Sequence, residues 1–560
     1  MSSTIRTARP QQVPLSTVAA MGFPLIASEQ FLRNLRYWSW GILAISAVLQ
    51  CILFGSWPNA RAVACVAVGW GIANWFLQPQ LLKNHPLSCF LILGFTCTQL
   101  YFPLVFTLLE GKPIVYNLVL PDEVFLHSLL GLSVLTVAHL LYWFIAHRRP
   151  LQSAESIPKS LLVRIGLFTP PTDLQIWLMG FIGLAAMYYV YFYSPSVNRE
   201  VAGAADKSIQ GLIPFTYAPY FIPFGHLYGR TSSNTPNLVP KLAVFTIVLF
   251  IVSIGTNSRG AFMLGFTSVG FTFALGLMLG AIQTKLFTLK NILLAGAALW
   301  VFTGPVADIG TAMVMVRNQR SDTPRSELVA LTWEAFQQKD AIKAYRADNS
   351  TQGGDWDEDY MDNIFLARFC NIKYNDASLV LAQRFNSFDR SMRQFTISHA
   401  LSSLPQPVLD GLGVKVDKEE IQAVSYGDIL YYKVSGDVWS LGSFRTGHFA
   451  GVSMTAFGWW YLLLLGIGIL PVYYLYDLLY RRRGRPATAY FSFCGLLSLT
   501  SIFLFFPSES LDVLVAFILR AWVQLVLLYA FMFHITRYFG QLLGVLSGSR
   551  IASRPRTAQV

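Results

Sequence analysis

Apolar residues in this chain run in long blocks rather than alternating with polar ones. The blocks fall near 37–56, 62–78, 87–109, 124–146, 174–194, 211–228, 241–255, 261–281, 292–312, 451–477, 487–506 and 511–535. Most hold roughly 18 to 25 residues, enough for an α-helix rising about 1.5 Å per residue to cross a hydrocarbon core of about 30 Å. A helix that is apolar on every face is one surrounded by lipid or by other spans. The pattern therefore predicts an all-α polytopic membrane protein with about twelve transmembrane helices. Two blocks fit least well: 241–255 is short, and 211–228 contains Pro214, Pro219 and Pro223. Proline inside a span needs neighbouring helices to satisfy the carbonyls it frees.

Polar sequence collects in one place, between the ninth and tenth blocks. The division that follows is a leading segment at 1–36, nine spans over 37–316, a large loop at 317–450, three spans over 451–538 and a tail at 539–560. Within the loop, SDTPRSELVALTWEAFQQ has Pro324 at a helix start and Val329, Trp333 and Phe336 at i, i+4, i+7 spacing. NDASLVLAQRFNSFDRSMRQF reads as a second amphipathic helix capped by Asn375 or Asp376. The acidic stretch GDWDEDYMDN has Tyr360 where a calcium-binding EF-hand needs Gly and Leu366 where it needs Glu, so a solvated acidic turn is expected.

Charge then gives the blocks a direction. The chain is 13% charged with a net charge of +12, and a soluble domain is usually about 25% charged. Lys83, Arg148, Arg149, Lys159, Arg164, Arg230, Lys241, Lys285, Lys290 and Arg481 to Arg483 all mark even-numbered junctions, whereas Glu110, Asp122, Glu123, Glu509 and Asp512 mark the opposite ones, with Arg61 as the exception. The positive-inside rule places both termini in the cytoplasm and the large loop outside it. The basic surplus is thus topological and does not call for nucleic acid. The first block lacks a cleavage site after it and is expected to act as an uncleaved signal-anchor. Five of the six cysteines lie in spans and only Cys370 lies outside, so neither a disulfide framework nor a CxxC metal site can be drawn. His127, His139, His226 and His534 stand alone and are expected to hydrogen-bond within the bundle.

Arginines on the outer side are what topology leaves unexplained. Arg259 stands in IGTNSRGAFML between Gly255 and Gly260 with no acid within ten residues; Arg317 and Arg320 lie three apart at the end of the ninth span; Arg384 and Arg445 lie in the loop. Arg520, in FILRAWVQLV, sits inside the last span, where a charge costs about 2.5 to 3.5 kcal/mol. Asp308 is its candidate partner. A guanidinium offers a planar fork of donors that grips phosphate in bidentate fashion, and several of them at an outer interface suit a lipid pyrophosphate. Pairing with loop acids, as Arg393 with Asp389, is the alternative for the loop arginines.

The spans, the late outer loop, TNSRGAFML before a long apolar block, and GHFAGVSMTAFGWWYLLLLGIGIL after the loop resemble the Wzy-type O-antigen and oligosaccharide repeat-unit polymerases, and more distantly the O-antigen ligases. The resemblance implies a GT-C-like fold in the bacterial inner membrane. It also implies metal-independent, cofactor-free inverting transfer of a glycan from undecaprenyl pyrophosphate to another lipid-linked repeat unit, with a chain-length regulator and a flippase as partners. On that reading Arg259, Arg317 and Arg320 contact the pyrophosphate, Arg384, Arg445 and Arg520 support them, and the general base is His448 in FRTGHFAG or Asp389 in NSFDR. Transfer to a different acceptor, as in a ligase, and a polysaccharide or lipid transporter are the competing functions.

Overall fold

A computed structural model describes residues 23–24, 29–147, 157–193, 208–230, 236–255, 259–282, 304–316, 325–349, 356–385, 388–443, 445–483, 488–506 and 509–546, with isolated positions between 288 and 301. Helices dominate. Among the described residues six are long and apolar enough to cross a membrane: Glu29–Leu53, Pro86–Leu109, Pro121–Ala146, Asp173–Phe192, Trp460–Asp477 and Asp512–Leu542. Leu238–Ser253 and Gly265–Met278 are shorter apolar helices. The chain is thus an all-α, membrane-embedded protein by its helices.

Local chemistry starts these helices where it is found. Ser56 caps Trp57–Phe76, accepting the Asn59 amide, with Pro58 in the first turn. Asp173–Phe192 opens on a reciprocal capping box, in which the Gln175 amide meets Thr172 Oγ1 at 3.3 Å and the Thr172 amide meets Gln175 Oε1 at 3.0 Å. Two orphan amides of the first turn are satisfied this way. Packing separates the helices further: 78% of the most apolar stretch of Pro86–Leu109 is buried, against 22% for Asp512–Leu542. The first is the central post of the bundle, and the second presents its side to lipid.

Three apolar blocks depart from a single helix. Residues 213–228 form two 3₁₀ segments that meet at a kink at Phe224, with Pro219 and Pro223 inside and Gly229, at φ 87°, at the end. Pro219 and Pro223 lack the N–H that would continue an i→i−4 ladder, and a regular α-helix is not kept here. The block at 451–477 breaks into Phe449–Phe457 and Trp460–Asp477 around Gly458, whose φ of 57° only glycine adopts cheaply. The expected span at 487–506 is instead the strand Thr488–Phe491 and two short helices, Phe493–Leu497 and Leu499–Phe503. That strand pairs antiparallel with Tyr480–Arg483 on one side and with Phe23–Pro24 on the other. Phe491, Phe493, Cys494, Leu496 and Leu499 are buried in protein, which accounts for the hydrophobicity that resembles a span.

The loop region contains the helices Arg325–Gln337 and Lys339–Asn349, then Ile372–Ala382, Arg390–Ser402 and Tyr426–Ser435. The expected single helix from Asn375 to Phe395 is two helices, Ile372–Ala382 and Arg390–Ser402, the second capped by the side chain of Asp389. This region docks on the connection 110–120 between two long helices. Asp376 accepts the amides of Val119 at 2.9 Å and Leu120 at 2.8 Å, and Lys373 bonds both Asp376 and the Asn117 carbonyl. The acidic turn belongs to the same joint: Asp357 accepts from Asn117, Asp362 pairs with Lys112 at 2.7 Å, and Tyr360 is buried with its hydroxyl on the Ile114 carbonyl. It is a docking turn, in which Glu358 and Asp362 remain exposed to solvent.

Candidate functional site

The loop end of the bundle carries a cluster that sequence spacing does not announce. Helix Arg390–Ser402 brings His399 to the start of the last long helix, where His399 Nδ1 lies 2.7 Å from Asp512 Oδ2. Tyr426, first residue of its helix, sets its ring 4.9 Å from the His399 ring at a tilt of 56° and gives its backbone amide to Glu509 Oε2 at 3.3 Å. Burial pushes the Glu509 carboxyl up to about 7; the amide of Tyr426 and the charge of His399 pull it down, and the carboxylates of Asp512 and Asp428 push it up again. A carboxyl poised there exchanges a proton at neutral pH, the property asked of a general base.

Arg445 belongs to the same neighbourhood. Ser425 caps the helix at the Asp428 amide and donates its hydroxyl to the Arg445 carbonyl at 2.7 Å. Asp428, fully buried, accepts the amides of Gly442 at 3.1 Å and Arg445 at 3.0 Å and the hydroxyl of Ser443 at 2.8 Å. The Arg445 guanidinium donates to the Ser440 carbonyl at 3.0 Å and to Ser443, and lies 4.4 Å over the Tyr431 ring. Close approach here needs Gly427: a Cβ would collide with the Arg445 carbonyl. Arg445 is therefore both a fixed strut and a partly exposed cation.

The two expected bases fare differently from Glu509. His448 is fully buried and caps Phe449–Phe457, its Nδ1 accepting the Ala450 amide at 3.4 Å while Nε2 has no partner. Burial first, and the neighbouring His127 second, lower its pKa to about 3. A base so weak and so enclosed does not meet an acceptor hydroxyl. Asp389 caps Arg390–Ser402, accepting the Met392 amide at 2.6 Å and the Ser391 hydroxyl at 2.5 Å, with Lys433 at 3.5 Å. Partial burial raises its pKa, but these hydrogen bonds and the Lys433 charge outweigh it and leave the carboxylate below its usual range.

The predicted arginines are not all brought together. Arg384 is exposed just beyond Ile372–Ala382, a helix that packs against Phe449–Phe457. Arg520 is partly exposed in a π-helical turn, Phe517–Ala521, about 12 Å along the helix from Asp512. Asp308, its expected partner, is held by Lys339 at 2.9 Å. Arg259 opens the helix Arg259–Met278, but its side chain lies outside the described residues, as do Arg317 and Arg320. Three of the four isolated histidines bond within the bundle: His127 with Tyr461 at 2.7 Å, His139 with Ser88 at 3.0 Å, and His534 with the Ile165 carbonyl at 3.0 Å. Among the described residues no cluster of three His, Cys, Asp or Glu is disposed to hold a metal ion.

Glu509 and Asp512 are legible in ESLD only as outer-junction acids; their i, i+3 placement at the mouth of a span was the available signal. No protein-family model, curated protein or solved structure matches the chain.

Proposed function

We propose that the chain is a membrane glycosyltransferase that joins lipid-linked oligosaccharide repeat units on the outer face of a bacterial inner membrane. The observation that carries this reading is Glu509, a carboxyl with a pKa of about 7 at the loop end, set beside the His399–Asp512 pair. In the proposed step the acceptor hydroxyl gives its proton to the Glu509 carboxylate. Its oxygen bonds to the anomeric carbon with inversion as the bond to the pyrophosphate oxygen breaks. The leaving undecaprenyl pyrophosphate takes the electron pair, and fixed cations stabilise the charge that develops on it. Arg259, Arg317 and Arg320 are assigned to that anion, with Arg384, Arg445 and Arg520 behind them. Glu509 replaces His448 and Asp389 as the base.

Purified protein in proteoliposomes, given undecaprenyl-pyrophosphate-linked repeat units, tests the reading. Products of two or more repeat units with release of the lipid pyrophosphate, undiminished by chelator, are expected. Absence of any glycosidic product, or transfer only to a non-repeat acceptor, overturns polymerisation.

A further inference from the structure

The opposite end of the bundle holds a cavity that glycosyl transfer does not use. It has a volume of about 270 Å³ and is lined by Asn84, His85, Lys159, Tyr480, Arg481 and Arg482, among others. Space of that size takes about nine waters at ~30 Å³ each, or one phosphate with a short polyol. Three cations line it from two elements: Lys159 from Ile157–Arg164, and Arg481 and Arg482 from the strand Tyr480–Arg483.

The one carboxylate in the wall, Asp477, is already answered. It accepts the Ser88 amide at 3.2 Å, the Ser88 hydroxyl at 2.8 Å and the Tyr142 hydroxyl at 3.1 Å, and it pairs with His85 at 3.0 Å. These partners fix it toward the bundle and set a fourth cationic group, when His85 is protonated, against its charge. Asn84 takes a guanidinium bond from Arg482, and Arg481 donates to the Tyr490 hydroxyl at 2.8 Å. The two guanidiniums are thereby positioned at the cavity wall. Tyr142 and Tyr474 stand in the last turns of two helices that are long and apolar enough to span, the level at which aromatic residues mark a membrane interface.

We propose that this cavity binds a phosphate group, either that of an anionic phospholipid headgroup or a free phosphate. Basic pockets among helix ends on the positive side of a membrane suit such headgroups. The site anchors the chain and is independent of the transfer chemistry at the other end.

The test uses the full chain purified in detergent and depleted of lipid. Its probes are dioctanoyl phosphatidylglycerol, dioctanoyl phosphatidylcholine and inorganic phosphate, read by native mass spectrometry and by melting temperature. Phosphatidylglycerol is expected to bind at least about tenfold tighter than phosphatidylcholine, and Lys159→Gln with Arg482→Gln to weaken it by about thirtyfold. Inorganic phosphate protecting as well as phosphatidylglycerol assigns the site to a free phosphate. Where the double variant melts early without ligand, Lys159→Gln alone is expected to weaken binding by about fivefold. Equal affinity of wild type and both variants, or no binding of either phosphate probe, overturns the proposal.

Discussion

Both ends of the bundle place a histidine against an aspartate, and they use the pair to opposite effect. At the basic end Asp477 draws four donors from Ser88, Tyr142 and His85, and Ser88 passes the network on to His139 at 3.0 Å. At the loop end Asp512 holds His399, but the neighbouring Glu509 receives the single amide of Tyr426 among the bonds described and sits with two other carboxylates. A saturated acid is a structural joint. An under-coordinated one among like charges is poised to move a proton.

The sharpest way to break this contrast is Glu509→Gln, which keeps shape and removes the base. Transfer in proteoliposomes should fall by about 10² to 10⁴-fold, with melting temperature nearly unchanged; half of wild-type turnover would return Glu509 to a structural role. Asp477→Ala should do the reverse. Removing one partner from a buried, hydrogen-bonded pair costs roughly 3–5 kcal/mol, so thermal unfolding in detergent should come markedly earlier, and activity should track the fraction folded. A stable Asp477→Ala protein would show that the network at that end carries no fold.

Acidity separates the ends more gently. Glu509 is raised from 4.5 to about 7, so the native state keeps a proton that the unfolded chain has lost between those values. Its contribution to stability is present at low pH and is lost as pH rises from about 4.5 through 7. Turnover should move the other way, climbing to a plateau with a midpoint near 7, and a flat profile from pH 5 to 8 would remove the carboxylate from the rate. The smallest effect is assigned to Asp389→Ala: loss of a cap costs about 1 kcal/mol, seen in the melting temperature, with turnover at neutral pH kept. A collapse of turnover without loss of stability would restore Asp389 as a base.

Much of the helical frame is visible in the apolar blocks, because a membrane helix must be apolar over its whole length. Arg61, the exception to the charge pattern, meets Asp122 at 2.8 Å at the loop end. Hydropathy does not separate lipid from protein as the surroundings of a side chain, and so Phe491 to Leu499 read as a span when they are buried against strands and neighbouring helices. The site was hidden for a different reason. Glu509 meets Tyr426 across 83 residues and Asp512 meets His399 across 113, and nothing in the residues next to either acid encodes those partners. The His448 environment is equally tertiary: its sequence neighbours are glycine and phenylalanine, whereas its pKa is set by complete burial.

The joint between Asp376 and the amides of Val119 and Leu120 spans 257 residues. At about 5–20 residues per second, a ribosome needs ~13–50 s to travel from one half of that joint to the other. Through that interval the connection at 110–120 stands finished but unclaimed, and the loop end cannot close until its second half has been made. Biogenesis of this chain is therefore ordered: the scaffold is laid down first, and the surface bearing Glu509 is assembled on it late.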